Sequence, residues 1–161
     1  MITYRIGTSG HALIFAAEVL DRFERYKQRR LWAREAGGQL FARVDGGAIN
    51  IVEATGPRPT DRRSRYNYVP DRRAEQREID ERFLLGLHFV GDWHTHPQDI
   101  PRPSGVDLVS TADGVRKSRH SLNAFVMAIV GREAFPTGLY VAVHDGDEEH
   151  VLAPEFDGIE L

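Results

Sequence analysis

Cysteine is absent from the 161 residues, which removes disulfide frameworks, thiolate metal sites and cysteine nucleophiles together. No run of 18 apolar residues occurs, so no segment reads as a membrane span. The first residues, Met1 to Phe15, lack a basic start followed by an unbroken apolar stretch, so secretion is unsupported and a cytoplasmic location is expected. Charge is not one-sided either. Lysine and arginine number 21 against 24 acidic residues, a net charge of −3, which gives no global electrostatic case for nucleic acid. What is present is enough apolar residue (41%) to offset the ordering entropy of one compact domain spanning 1–161. A chain of this length buries about 70% of the surface it exposes when unfolded. Seven histidines in a cysteine-free chain leave open metal chemistry with nitrogen and oxygen ligands.

Hydrophobic periodicity orders the elements. Ile2–Ile6 alternates as a strand, and Ser9 stands where a cap precedes a helix expected from about Ala12 to Arg30, with Leu13, Ala17 and Leu20 on one face. Gly38–Val44 and Ala48–Ala54 read as a hairpin joined at Asp45-Gly46-Gly47, where glycine supplies positive φ. Thr55–Pro70, with three prolines and four arginines, is a loop. Asp71 opens a second helix to about Gly86, with Ile79, Phe83 and Leu87 along its buried side. Leu87–His96 is a strand whose alternation sets Leu87, Phe89, Gly91 and Trp93 against His88, Val90, Asp92, His94 and His96. A third helix runs from Ser104 to about Ser118. Strands follow at Asn123–Val130, Gly138–His144 and near His150–Leu152. The pattern predicts an α/β fold, a single mixed sheet with helices on both faces.

The chemistry gathers in His94-Thr95-His96-Pro97 and Ser104-Gly105-Val106-Asp107. Histidines two apart in an extended segment project from one face and can reach one ion, and a carboxylate from Asp107 completes a three-ligand set. Three ligands leave a fourth tetrahedral position open, which distinguishes catalytic zinc sites from structural ones. Each part has an ordinary reading. A strand histidine is usually a packing or surface residue, and Ser104-x-x-Asp107 is a capping box that starts a helix. The five fixed positions together would arise by chance on the order of once in 10⁴–10⁵ chains of this length. Capping and ligation can coexist in Ser104 and Asp107.

His94, His96, Pro97, Ser104 and Asp107 match every fixed position of H-x-H-P-x₆-S-x-x-D, so the sequence resembles the JAMM metalloproteases, also called MPN-domain proteins. Their upstream glutamate typically precedes a glycine pair, as Glu35 does in Glu35-Ala36-Gly37-Gly38. The resemblance implies a cytidine-deaminase-like fold, with His94, His96 and Asp107 holding Zn²⁺. It further implies Glu35 as the general acid/base and Ser104 as a donor to the oxyanion. Glu53, on the opposing strand, is the competitor for Glu35 but lacks the glycines. Asp92 and Asp99 are candidates to brace a ligand histidine, while Trp93 and Thr95 point away into the core. A zinc nucleobase deaminase is excluded, because its Pro-Cys-x-x-Cys ligands are missing.

The loop narrows the resemblance. Thr55-Gly56-Pro57-Arg58-Pro59, Arg62-Arg63-Ser64-Arg65, Tyr68-Val69-Pro70-Asp71 and Gln76 are similar to small stand-alone bacterial JAMM proteins found beside ubiquitin-transfer-like enzymes in anti-phage operons of the CBASS type, and in mobile-element relatives. That similarity implies deconjugation: hydrolysis of the amide joining the C-terminus of a nucleotidyltransferase, or of a ubiquitin-like protein, to a target. The implied partner is a protein with an extended C-terminal tail, not nucleic acid or membrane. An arginine run is usually solvated surface. On the functional reading, Arg58, Arg62, Arg63 and Arg65 meet an acidic substrate tail. A processing protease for ubiquitin-fold sulfur-carrier proteins and a non-catalytic MPN scaffold are the alternatives.

Overall fold

The computed structural model describes residues 1–117 and 124–156. Its elements are β1 (Ile2–Ile6), β2 (His11–Phe15), α1 (Ala17–Tyr26), β3 (Gly37–Asp45), β4 (Ala48–Ala54), β5 (Arg62–Arg63), β6 (Tyr68–Val69), α2 (Arg72–Leu84), β7 (His88–Thr95), α3 (Gly105–Lys117), β8 (Phe125–Val130), β9 (Leu139–His144), β10 (Glu149–Val151) and β11 (Pro154–Glu155). Nine strands form one sheet in the order β10-β9-β8-β7-β3-β4-β2-β1-β11, and β5-β6 is a separate small pair within the arginine loop. Most neighbours are antiparallel; β7-β8 and β2-β4 are parallel. The expected ends of the third helix at Ser118 and of the next strand at Asn123 lie outside the described residues.

The sheet is curled. Laid flat, its edge strands β10 and β11 would lie about 38 Å apart at the usual strand spacing. Yet Val151 and Pro154 are three residues apart in sequence, a reach of at most about 11 Å. The edges must therefore approach each other. One face holds the main core, with α1 contributing Val19 and Phe23 beside Phe15, Leu40, Trp93 and Val130. On the other face α3 covers Met127, Ile129 and Ala142 through Leu108, and α2 lies over β7 and β3. Helices thus cover both faces, as the pattern predicts. No helix among the described residues is long and apolar enough to cross a membrane.

Three local expectations are corrected. The helix expected from Ala12 begins at Ala17, because His11–Phe15 is a strand between β1 and β4. Leu13 and Phe15 are fully buried at period two while His11 is exposed. Gly7 and Gly10, both at positive φ, turn the chain back after β1, and Ser9 serves that turn by donating to the Ile6 carbonyl. The helix also ends at Tyr26 rather than Arg30, since Lys27 and Gln28 turn inward to polar partners.

On α2 the buried residues are Ala74 and Glu75, while Phe83 is 68% exposed. This helix buries little apolar side chain of its own. In β7 the pairing shifts between Leu40–Gly91 and Phe41–Phe89, leaving Val90 as an extra residue. That irregularity turns Val90 into the core beside Trp93 instead of onto the histidine face.

Candidate metal and active site

Register places the site. Gly37 pairs with His94 across the antiparallel β3-β7 ladder. Two further steps set Glu35 opposite His96, because paired numbers keep a constant sum. The ladder continues past the strand ends in the Thr95 N–H to Ala36 carbonyl bond of 2.8 Å. Glu35, His94 and His96 therefore share one face. The chain then loops back and delivers Asp107 from the first turn of α3. There Ser104 and Asp107 cap each other: the Ser104 N–H donates to Asp107 Oδ2 at 2.7 Å, and the Asp107 N–H donates to Ser104 Oγ at 3.1 Å.

The donor atoms converge. His94 Nε2 lies 3.0 Å from His96 Nε2. His94 Nε2 is 3.3 Å from Asp107 Oδ1, and His96 Nε2 is 3.3 Å from Asp107 Oδ2. Tetrahedral zinc with bonds of 2.0–2.1 Å needs ligand atoms about 3.3 Å apart. His94 approaches one Asp107 oxygen and His96 the other, so the donors gather at close to that spacing, and the donor set of two imidazoles and a carboxylate suits zinc chemically. Among the described residues His94, His96 and Asp107 are a group of side chains able to hold a metal ion.

Gln98 sets the tautomer of His96. Its Oε1 accepts from the Arg102 N–H at 3.0 Å, which identifies that atom as oxygen. The same Oε1 lies 3.2 Å from His96 Nδ1, so Nδ1 carries the proton and Nε2 keeps a lone pair for a metal.

Glu35 stands 3.9 Å from His96 Nε2. Burial, aided by the Asp107 charge and opposed by His96, lifts its carboxyl to about 7. Burial works against the Asp107 anion, but bonds and charge from the two histidines hold its pKa well below the carboxylate range. Burial also disfavours the His96 cation, yet Asp107 and Glu35 outweigh it and raise the imidazole pKa. Glu35 is clamped through its backbone. Its N–H donates to the Ser64 carbonyl at 2.7 Å and its carbonyl accepts from Arg63 Nε at 2.6 Å. The next N–H, of Ala36, donates to Thr95 Oγ1 at 2.9 Å, and that hydroxyl donates on to fully buried Gln28.

A cavity of about 1030 Å³ opens over the cluster, with Glu35, Ser104 and Tyr68 on its walls and Met127 and Asp92 on the floor. Asp92 is exposed to the cavity's solvent, while the protein crowded around it and nearby Glu75 lift its carboxyl to about 7. Two other candidates lie apart: Glu53 pairs with Arg82 at 2.7 Å and Asp99 with Arg132 at 2.8 Å. Trp93 and Thr95 are buried as expected.

The four loop arginines separate. Arg58 grips Glu78 with two bonds of 2.6 Å and Asp61 from its backbone N–H, and Arg63 holds Glu35. Arg62 is exposed, and Arg65 bonds outward to the Arg30 and Leu31 carbonyls. None of the four lines the cavity. Sequence reasoning missed Gln28 and Gln98. Gln98 could have been found as the polar residue just beyond the His-Pro pair, whereas nothing local marks Gln28 as buried.

Known proteins resemble this chain in sequence and in fold. A protein from Escherichia coli strain TW11681, named CD-NTase/cGAS isopeptidase, is 29% identical over 124 residues, covering 75% of this chain and 77% of the relative. One of the same name from Pseudomonas aeruginosa strain BWHPSA011 / Pa011 is 31% identical over 137 residues, covering 83% of this chain and 84% of the relative. The solution structure of DSY2949 from Desulfitobacterium hafniense superposes with a TM-score of 0.63 at 17% identity, covering 89% of each chain, and so shares the fold. Residues 16–143 match the model of the prokaryotic homologues of the JAB domain, and the chain belongs to that family.

Proposed function

We propose that this protein is a zinc-dependent isopeptidase that hydrolyses the amide joining the C-terminus of a CD-NTase-type nucleotidyltransferase to its target, in a CBASS-type system of the cytoplasm. The observation that carries the reading is the meeting of His94, His96 and Asp107 beside a raised-pKa Glu35 in one open cavity. The names of the relatives from Escherichia coli and Pseudomonas aeruginosa supply the substrate class.

In this reading His94, His96 and Asp107 hold the ion. Bound zinc lowers the pKa of water from 15.7 to about 7 and polarises a carbonyl oxygen. Glu35, buried beside the ligand cluster, accepts the proton released as water adds to the carbonyl and returns it to the departing amine. The hydroxide part of water stays on the acyl carbon and the proton goes to the amine, so atoms balance. Ser104 Oγ already accepts the Asp107 N–H, which leaves its own hydroxyl proton free to donate to the oxyanion. Gln98 keeps His96 in the ligating tautomer. Of the arginines, Arg62 and Arg65 face outward to meet the conjugate, while Arg58 ties its own loop to α2 through Glu78 and Arg63 holds the Glu35 carbonyl.

The test is incubation with a nucleotidyltransferase conjugate, read by intact mass. The wild type should release the nucleotidyltransferase with a free C-terminal carboxylate. Glu35→Gln should retain zinc and lose on the order of 10²–10⁴-fold in kcat. Chelation should abolish cleavage and added zinc restore it. An intact conjugate, or cleavage that survives chelation, overturns the proposal.

A further inference from the structure

Beside the cavity, large apolar side chains stand out of the surface: Leu31 is 79% exposed, and Trp32 and Tyr66 are each 74% exposed. They are contiguous. Arg65 donates from its guanidinium to the Arg30 carbonyl at 3.2 Å and to the Leu31 carbonyl, and from Nε to the Tyr66 hydroxyl at 3.1 Å. Tyr66 in turn lines the cavity mouth, and Trp32 is three residues before Glu35. Arg30 lies 5.5 Å from the Trp32 ring and Arg65 lies 5.4 Å from the Tyr66 ring. The bank is thus aromatic faces backed by guanidinium groups.

Its charge is of one sign. Arg30, Arg34 and Arg62 are exposed, and the adjoining carboxylates of Glu35 and Asp61 are buried. Carboxylates outnumber cations in the cavity beside it, where Glu35, Glu75, Asp92 and Asp107 meet Arg72. Exposed tryptophan, tyrosine and arginine together make the composition that dominates binding energy at protein interfaces. An enzyme that acts on a tail still attached to a folded protein must lay that protein against one side of its cavity.

We infer that the bank of Arg30, Leu31, Trp32, Arg65 and Tyr66 docks an acidic, apolar-studded surface on the folded body of the conjugated protein while the tail occupies the cavity. The inference rests on the isopeptidase reading and adds where the substrate's folded part is recognised. Continuity with the cavity selects this occupant, since Tyr66 belongs to both the bank and the cavity lining.

The experiment compares two substrates, the full conjugate and a short tail peptide carrying the same scissile amide, with Trp32→Ala and Arg30→Glu. Both side chains are exposed and clear of the ligand cluster, and melting temperature with zinc content checks the fold. For the conjugate, KM should rise roughly tenfold in each variant, a truncation cost typical of an interface anchor, with kcat unchanged. Added salt should raise the wild-type KM for the conjugate. For the short peptide, both constants should stay at wild-type values. An unchanged KM for the conjugate in both variants overturns the inference, as does an equal loss on both substrates. A wild-type dimer that Trp32→Ala dissociates would assign the bank to a second copy and also overturn it. If the wild type cuts the short peptide but not the conjugate, this docking surface fails and the hydrolase stands. If it cuts neither, the isopeptidase reading itself falls and takes the inference with it.

Discussion

A side chain next to a metal ligand can matter through a single lone pair. Gln98 accepts from both the Arg102 N–H and His96 Nδ1, so Gln98→Leu should weaken zinc binding roughly 10–100-fold, the usual consequence of losing such a partner. Gln98→Glu keeps both acceptances and should hold zinc as tightly as the wild type; competition titration checks both. Asp92 makes a second case. Its carboxyl is lifted to about 7 by the protein crowded around it and by Glu75, so the folded chain keeps a proton that the unfolded chain releases near the ordinary carboxylate value. That preference stabilises the fold at low pH and is lost as pH rises toward 7. In metal-free protein, Asp92→Asn should melt above the wild type at pH 8, by a margin that solvent screening of the exposed carboxylate keeps small, and equal it at pH 4. Equal melting at both values would contradict the assignment. Glu35, shifted in the same direction, leaves part of the wild-type slope in the variant. Residue-level chemistry was the most legible layer, because ligand spacing is local. His94, His96 and Asp107 are brought together as their spacing anticipates. Gln28 was illegible, because its partners Thr95 and the Arg65 carbonyl are remote in sequence.

At the scale of elements, the stretch around the Glu35 glycines is tightly toleranced. A Cβ on Gly38 would lie 1.8 Å from the Thr55 carbonyl oxygen, and one on Gly37 would lie 2.7 Å from the Trp93 carbonyl oxygen and from the Tyr68 ring. Gly38→Ala should therefore cost about 3 kcal/mol or more, since backbone rather than a movable side chain must yield. Urea denaturation measures it, and a loss within 0.5 kcal/mol, the range of ordinary surface substitutions, would contradict the packing. The sequence marked Gly37-Gly38 only as the glycine pair that follows Glu35; the close approach comes from Thr55 and from the β3-β7 pairing. Element type was less legible where one residue set satisfies two periods. Leu13, Ala17 and Leu20 have helical spacing, yet Leu13 and Phe15 also alternate. Pairing of β2 to both β1 and β4 decided the matter, and such long-range pairing routinely overrides local preference. The same holds for Val90, whose orientation follows from a register shift against β3 that no local pattern encodes.

For the whole molecule, the alternation of strands and helices foretold a mixed sheet covered on both faces, but not its curl. That depends on β11, a two-residue strand that pairs with β1 through Thr3–Glu155 and Tyr4–Pro154, too short to carry a pattern. The curled sheet gives the ligand cluster a rigid support: β7 lies between β3 and β8, so its histidines cannot shift without breaking two ladders. The central claim is that this support holds one metal ion through three side chains. Zinc titration against a chromogenic chelator, run on the wild type and on His94→Ala and His96→Ala, tests it directly. The account predicts one tightly held zinc per wild-type chain and none at the same chelator concentration in either variant. A wild type that yields its zinc as readily as the variants would contradict it.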